Sequence, residues 1–157
     1  MPWIRFDPNG GPAPSSSITT LAGEPFAVAD FYGRANLALF FGHGLGCAAC
    51  RGLIQCLAAQ RTELCGLDAE ALVCLPSHAS APDGDLAGVH LAADPDGGLR
   101  RRYADLIEFD AVTEVMLFVL DRFGVPYAGW TGREADAPDL CRETMKWLEY
   151  IAIQCPE

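Results

Sequence analysis

The sequence predicts a single mixed α/β domain, because short continuous apolar runs alternate with segments of helical period and a cysteine pair stands at one strand-to-helix junction. The chain has 157 residues, half of them hydrophobic, which suits one domain with one substantial core. Its first apolar run, Asn36 to Gly42 (NLALFFG), is too short for a typical helix and ends in glycine, as a strand buried on both faces does. From Cys47 to about Cys65, Leu53, Ile54, Leu57 and Leu64 recur at helical spacing while Gln60, Arg61 and Glu63 take other directions, which predicts one helix.

The remaining elements follow in order. Residues 1–22 form an N-terminal arm whose Pro8 to Ser17 stretch is rich in Pro, Gly and Ser, reads as a loop or loosely held segment, and precedes a domain over residues 23–157. Phe26, Val28 and Asp30 to Tyr32 give a short edge strand and turn. Glu70 to Leu75 is a second buried strand closed by Pro76, and His78 to Gly88 is a polar connection to a short strand at Val89 to Ala92. Asp94 with Pro95 after it marks a helix start, and that helix runs to about Leu106. Glu114 to Asp121 and Val125 to Trp130, joined by the turn at Arg122 to Gly124, pair as an antiparallel hairpin at the edge of the sheet. Asp136 or Asp139 caps a final helix, Pro138 suits its first turn, and Leu140, Met145, Trp147, Leu148 and Ile151 form its apolar side. Helical crossovers imply a parallel portion of sheet and the hairpin an antiparallel one, so the sheet is mixed and flanked by helices.

Charge and cysteine usage narrow the function. The formal net charge is -10, and the only basic run, Arg100 to Arg102, is read as the solvated face of a helix, so phosphate-backbone binding is disfavoured and no nucleic-acid partner is expected. No window approaches the roughly 18 apolar residues that span a bilayer, and Met1 to Ser17 lacks a signal-peptide pattern, so a soluble cytoplasmic protein is expected, with no membrane partner. The seven cysteines are odd in number and irregular in spacing, which suits free thiols with one special pair better than a disulfide scaffold.

That pair is Cys47 and Cys50. The segment Phe40 to Arg51 reads FFGHGLGCAACR, so a buried strand passes through a glycine loop into a helix that opens on the pair. The first turn of a helix presents unpaired N–H groups and the positive end of the macrodipole, and both favour a thiolate over a thiol. Cysteines three residues apart share a helical face and can close a disulfide when the first stands at the N-terminus. His43 on the loop, as a cation, would lower the thiol pKa further, and Arg51 offers fixed positive charge; a packing or solvated role is the plain alternative for each. A zinc site needs further ligands, and Cys56, Cys65, Cys74, Cys141 and Cys155 include no second C-x-x-C, so no metal is expected. Cys56 and Cys74 read as core thiols, and Cys141 or Cys155 could act as a distant resolving thiol, although nothing in the pattern selects either. Asp94 to Gly98 (DPDGG) has the look of a calcium loop but lacks further spaced oxygen ligands and reads as a turn with a helix cap. Trp130 and Tyr127 read as core or core-rim residues, with a partner surface as the alternative.

The segments GEPFAVADFYGRANLALFF, GCAACR, LAADPDGGLRRRYAD and VMLFVLDRFGVPYAGW, spanning about Gly23 to Glu149, resemble the alkyl hydroperoxide reductase and thiol-specific antioxidant group. This is the peroxiredoxin-like branch of the thioredoxin superfamily. The resemblance implies a thioredoxin-like fold and thiol redox chemistry, with Cys47 and Cys50 matching the C-x-x-C of redoxin-type members. Where typical peroxiredoxins carry P-x-x-x-T-x-x-C, this chain has His43 in the proline place, Cys47 in the threonine place and Cys50 in the peroxidatic place. The peroxide-binding arginine of that family aligns near Val115, and the cis-proline of thioredoxins near Met116.

The expected function is that of a thiol-disulfide oxidoreductase of redoxin type without an organic cofactor, in which Cys47 attacks and Cys50 resolves. Its partners are a disulfide or hydroperoxide substrate and a thiol reductant. A peroxiredoxin-like thiol peroxidase is the alternative within the enzyme class, and a non-catalytic thioredoxin-fold binding protein the alternative outside it. The sequence leaves the oligomeric state open.

Overall fold

The computed structural model describes residues 3–7, 10–15, 17–20, 24–44, 46–76, 89–94, 96–107, 115–133 and 137–154. Three apolar runs form the centre of the sheet: β4 (Asn36–Phe41), β5 (Ala69–Leu75) and β7 (Val115–Leu120). Every residue of β4 and β7 is buried, which is why these strands read as unbroken hydrophobic stretches rather than as alternating ones. β4 pairs with β5 in parallel and with β7 antiparallel, so Phe41 faces Cys74 on one side and Met116 on the other.

The full sheet has eight strands in the order β1-β8-β7-β4-β5-β6-β2-β3. Its outer members are β1 (Ile4–Arg5), β2 (Ser17–Thr20), β3 (Pro25–Ala27), β6 (Val89–Ala93) and β8 (Pro126–Gly132). The N-terminal segment expected to be a loose arm thus supplies two strands, β1 against β8 and β2 between β3 and β6. The same pairing places the late hairpin inside the sheet rather than at its edge, because β1 covers β8. A 3-10 turn over Val28–Phe31 follows β3.

Helices cover both faces. α1 (Ala48–Ala59), α2 (Arg61–Gly66) and α4 (Ala137–Gln154) lie on one side, where Leu53, Leu57, Leu64, Leu148 and Ile151 meet Phe40, Val73 and Leu117. α3 (Gly98–Leu106) lies on the other, with Leu99 and Tyr103 against Leu39, Phe41 and Phe118. Alternate residues of β4, β5 and β7 feed the two cores, as the two-residue repeat of a strand requires. Trp130 belongs to the first core, and Tyr127 packs against it and against Tyr150.

Two helix boundaries differ from the sequence expectation. The segment 47–65 is two helices, divided at Gln60, whose non-helical backbone both ends α1 and starts α2. The helix expected from Asp94 begins instead at Gly98, because Gly97 takes a left-handed conformation (φ 69°) that breaks the continuity from Asp94. Both aspartates still serve that helix start: Asp94 Oδ2 accepts the Arg100 N–H at 3.0 Å and Asp96 Oδ1 the Gly98 N–H at 3.0 Å. The DPDGG segment is therefore a turn and cap, as read. The connection His78 to Gly88, Asp136 and Cys155 lie outside the described residues.

The cysteines also depart from the expectation that they stay thiols. Cys56 on α1 and Cys141 on α4 form a disulfide, with Cα atoms 6.3 Å apart and a sequence separation of 85. Cys47, Cys50, Cys65 and Cys74 are free. Closing so long a loop restricts the unfolded chain, an effect of about 2–4 kcal/mol. Cys56→Ser and Cys141→Ser are expected to lower unfolding free energy equally, by about that amount, in urea titrations under non-reducing conditions. An unchanged midpoint would mean that the cross-link does not form in solution.

Candidate active site

β4 ends in the sheet interior, and its chain leaves at Gly42 toward the amino end of α1. Gly42 donates its N–H to the Cys74 carbonyl at 3.1 Å, which ties the first loop residue to β5. A side chain there would be tight: a Cβ on Gly42 would stand 3.0 Å from Phe40 Cε2 and 3.3 Å from Cys50 Sγ, so both would have to give. His43 follows, and its backbone N–H donates to Cys50 Sγ at 3.3 Å. The loop then returns through Gly44, whose carbonyl accepts the Cys47 N–H at 3.2 Å.

Cys47 is the N-cap residue of α1 and Cys50 lies in its first turn. Cys47 is half-buried, whereas Cys50 is fully buried, in the same core as Leu53 and Val73. A ligand atom from each of His43, Cys47 and Cys50 lies within 4.8 Å of the others. The structure brings these three residues together where the chain leaves the carboxyl end of β4, beside β5. Arg51 extends from the exposed side of α1.

The two thiols are electrostatically unlike. The Cys47 pKa is lowered to about 7, first by the Cys50 N–H; burial opposes this as the next largest effect, and the His43 side chain, the Cys50 thiol and the Ala49 N–H lower it further. No cap hydrogen bond of ordinary geometry closes on Cys47, so the lowering reflects N–H groups oriented toward the sulfur at the positive end of the helix. Arg51 is not among the main contributors. Burial pushes Cys50 the other way, above the ordinary thiol value, and outweighs the His43 N–H that favours its thiolate.

Arg100 was expected on a solvated helix face, and the structure corrects this. Arg101 and Arg102 are exposed, but Arg100 is half-buried, its Nη1 donates to the Gly42 carbonyl at 3.4 Å, and its Nε has no hydrogen-bond partner among the described residues. Burial lowers its pKa, while Asp94, and Cys50 and Cys74 whenever they ionise, favour its charged form. It lines a cleft of about 230 Å³ with Cys74, Pro76, Asp94 and Asp96. A signal for this was present: Leu99, Tyr103 and Ala104 mark the buried stripe of α3, and Arg100 stands one turn before Ala104. A larger cavity of about 770 Å³ lies at the opposite ends of β4 and β5, with Cys65, Arg34, Arg61 and Glu70 in its wall, and it shares no residue with the thiol pair.

Val115 and Met116 begin β7 beside the Phe41 end of β4, and both are fully buried. The two places that the resemblance assigns to arginine and cis-proline are thus apolar here, and Arg100 of α3, on the other face of the sheet, brings a guanidinium into electrostatic reach of Cys50.

A mixed sheet of this order, with a cysteine pair at the amino end of its first long helix, is a thioredoxin-like fold of peroxiredoxin type. Among solved structures the chain is similar to peroxiredoxin Q of Xanthomonas campestris, with a TM-score of 0.72 and 14% identity, covering 87% of this chain and 92% of that one. It is similar to thioredoxin peroxidase I of Plasmodium yoelii, with a TM-score of 0.69 and 19% identity, covering 93% and 95%. A Chlorobium tepidum protein assigned as the thiol:disulfide interchange protein DsbE aligns with a TM-score of 0.65 and 16% identity, covering 92% and 96%. At such identities the likeness is one of fold. No family model matches the chain, and no curated protein matches it. Among the described residues no helix is long and apolar enough to cross a membrane.

Because the thiolate is the nucleophile, alkylation of Cys47 by iodoacetamide is expected to rise through an inflection near pH 7 and to fall away below it. In His43→Ala the inflection moves to higher pH; an unchanged profile would remove His43 from the tuning of this thiol. In a Cys47→Ser background, Arg100→Met is expected to move the Cys50 alkylation profile further up, read by mass spectrometry across a pH series.

Proposed function

We propose that this chain is a thiol-disulfide oxidoreductase of redoxin type in which Cys47 attacks a substrate disulfide and Cys50 resolves the adduct. The observation that carries it is the pairing of an accessible N-cap thiol on α1 with a buried thiol one turn along, their sulfurs within 4.8 Å. Cys47 as thiolate attacks one substrate sulfur, forming a mixed disulfide and expelling the first substrate thiol. Cys50 then loses its proton, attacks Cys47 and expels the second, so that two electrons pass from the protein dithiol to the substrate. A second thiol reductant restores the pair, and no organic cofactor takes part. The His43 N–H and the Arg100 guanidinium stand where the buried Cys50 needs help to become anionic. The cytoplasmic setting read from the sequence fits this proposal, because its thiol pool would return Cys47 and Cys50 to the reduced form.

A peroxidase reading draws support from the same guanidinium and from the likeness to peroxiredoxin structures. There Cys47 attacks a hydroperoxide, releases an alcohol and becomes a sulfenic acid, which Cys50 condenses to the disulfide with loss of water. The disulfide reading is preferred because Cys50, in the peroxidatic place of the family, is fully buried.

The test is turnover of glutathione disulfide and insulin by the full chain and its variants. Cys47→Ser is expected to lose at least about 100-fold in rate, and Cys50→Ser to accumulate a one-to-one mixed disulfide at Cys47. A Cys47–Cys50 midpoint between about -120 and -300 mV in glutathione buffers fits an exchanging pair. Failure to form that disulfide at any poise would overturn the proposal. Faster oxidation by hydroperoxide than by disulfide, with a sulfenic acid trapped in Cys50→Ser, would select the peroxidase reading.

A further inference from the structure

We propose that His43, Cys47 and Cys50 form a binding site for a soft, thiophilic d10 metal ion, Zn2+ or Cu+, when the two cysteines are reduced. Sequence spacing argued against metal because no second cysteine pair or histidine pair accompanies the first. The fold removes part of that objection by bringing a third ligand from the glycine loop. One donor atom of each residue lies within 4.8 Å of the other two, while ligands around such an ion stand roughly 3.5–4 Å apart, given metal–sulfur and metal–nitrogen distances of about 2.3 and 2.0 Å. The change needed is small, and the residues that make it are the accessible ones: the His43 side chain is exposed and its neighbour Gly44 has a φ of 144°.

The innermost ligand is the most fixed. Cys50 Sγ is held by the His43 backbone N–H at 3.3 Å. The buried sulfur, half-buried sulfur and exposed imidazole form a graded set, with the remaining coordination position on the solvent side. Two thiolates and one imidazole are soft and borderline donors, which select Zn2+ or Cu+ over Mg2+ or Ca2+. Arg100, within electrostatic reach of Cys50, tolerates surplus negative charge: two thiolates leave a neutral site with Zn2+ and a singly negative one with Cu+.

Binding replaces the two S–H protons, which pass to solvent, and makes both sulfurs unavailable as nucleophiles. A bound ion thus competes with the exchange reaction, and oxidation of the pair by a disulfide releases the ion together with two substrate thiolates. The site itself does not depend on the exchange proposal, since a pair that never turns over can still hold metal.

The experiment is titration of the anaerobic, reduced full chain with Zn2+ alone, with Cu+ alone under a competing chelator, and with Co2+ as a spectroscopic stand-in. Expected are one ion per chain, protection of Cys47 and Cys50 from alkylation, and thiolate-to-metal charge-transfer bands with tetrahedral d–d absorption for Co2+. His43→Ala is expected to weaken binding by more than about tenfold, Cys47→Ser and Cys50→Ser to abolish it, and Cys65→Ser to leave it unchanged, with circular dichroism verifying the fold. Uptake of Cu+ but not Zn2+ supports a three-coordinate site, and uptake of Zn2+ a site completed by water. No stoichiometric binding of either ion, or binding that survives Cys47→Ser or is indifferent to His43→Ala, overturns the proposal. Metal binding without a Cys47–Cys50 disulfide would retain this inference and remove the oxidoreductase reading, and the reverse pattern would do the opposite.

Discussion

β4 is buried on both faces and hydrogen-bonded on both sides, so the chain has one way out of the sheet, and that exit sits against the reactive pair. At Gly42 a side chain would press on both Phe40 and Cys50, and the Gly42 N–H and carbonyl are already engaged by Cys74 and Arg100. The loop that follows is therefore set by close packing rather than by its own few contacts. Its position delivers the His43 N–H to Cys50 and starts α1 at Cys47 with its first N–H groups turned toward the thiols. A larger residue at position 42 would displace the sulfur, the loop and the helix start together, because interiors at crystal-like density have little room to absorb a methyl group.

The asymmetry of the pair follows from where the helix meets the core. Cys47 sits before the first full turn and shares its surface with solvent, while Cys50, one turn along, faces the sheet with Leu53 and Leu57. At the first sulfur the helix-terminal N–H groups outweigh the cost of burial, but at the second burial is the dominant effect and the thiol must become charged inside an apolar setting. Direct stabilisation there comes from the His43 N–H and, less, the Gly44 N–H, with the Arg100 charge acting in addition. The order proposed for exchange matches this asymmetry, with the accessible thiolate attacking first and the buried thiol acting only once its partner sulfur has become an electrophile.

Much of this arrangement was legible because the decisive signals are local. Continuous apolar runs marked β4, β5 and β7, the period of Leu53, Ile54 and Leu57 marked α1, and GHGLGCAAC located the strand–loop–helix junction. The features that escaped depend on distant partners. β1 and β2 are short and exist by pairing with β8, β3 and β6, and they flank the Pro8 to Ser17 stretch without an apolar run of their own. The break at Gln60 carries no proline or glycine. The start of α3 was displaced because Asp94 and Pro95 look like a cap and first turn, yet Asp94 caps from outside the helix across Gly97. Arg100 looked like its neighbours because charge alone does not reveal which arginine shares a turn with the buried stripe. Disulfide connectivity across 85 residues is likewise a property of the packed fold, not of spacing.

The Cys56–Cys141 cross-link adds a constraint on the site helix from its far end. α1 carries Cys47 and Cys50 in its first turn and Cys56 two turns further, where it is bonded to α4. Leu57 and Leu148 already pack α1 and α4 into one core, so the bond fixes an interface that exists without it and chiefly restricts the unfolded chain. Its value to the site is positional: the helix whose amino end orients the two sulfurs is anchored by the sheet, by the Gly42 exit and by α4. In the exchange proposed for Cys47 and Cys50 the sulfurs must approach and separate by small amounts, while the body of α1 stays packed against the sheet and bonded to α4. In the two proposals, disulfide formation and metal capture would therefore draw on the same accessible groups, Cys47 and His43, set against the one fully buried sulfur of Cys50.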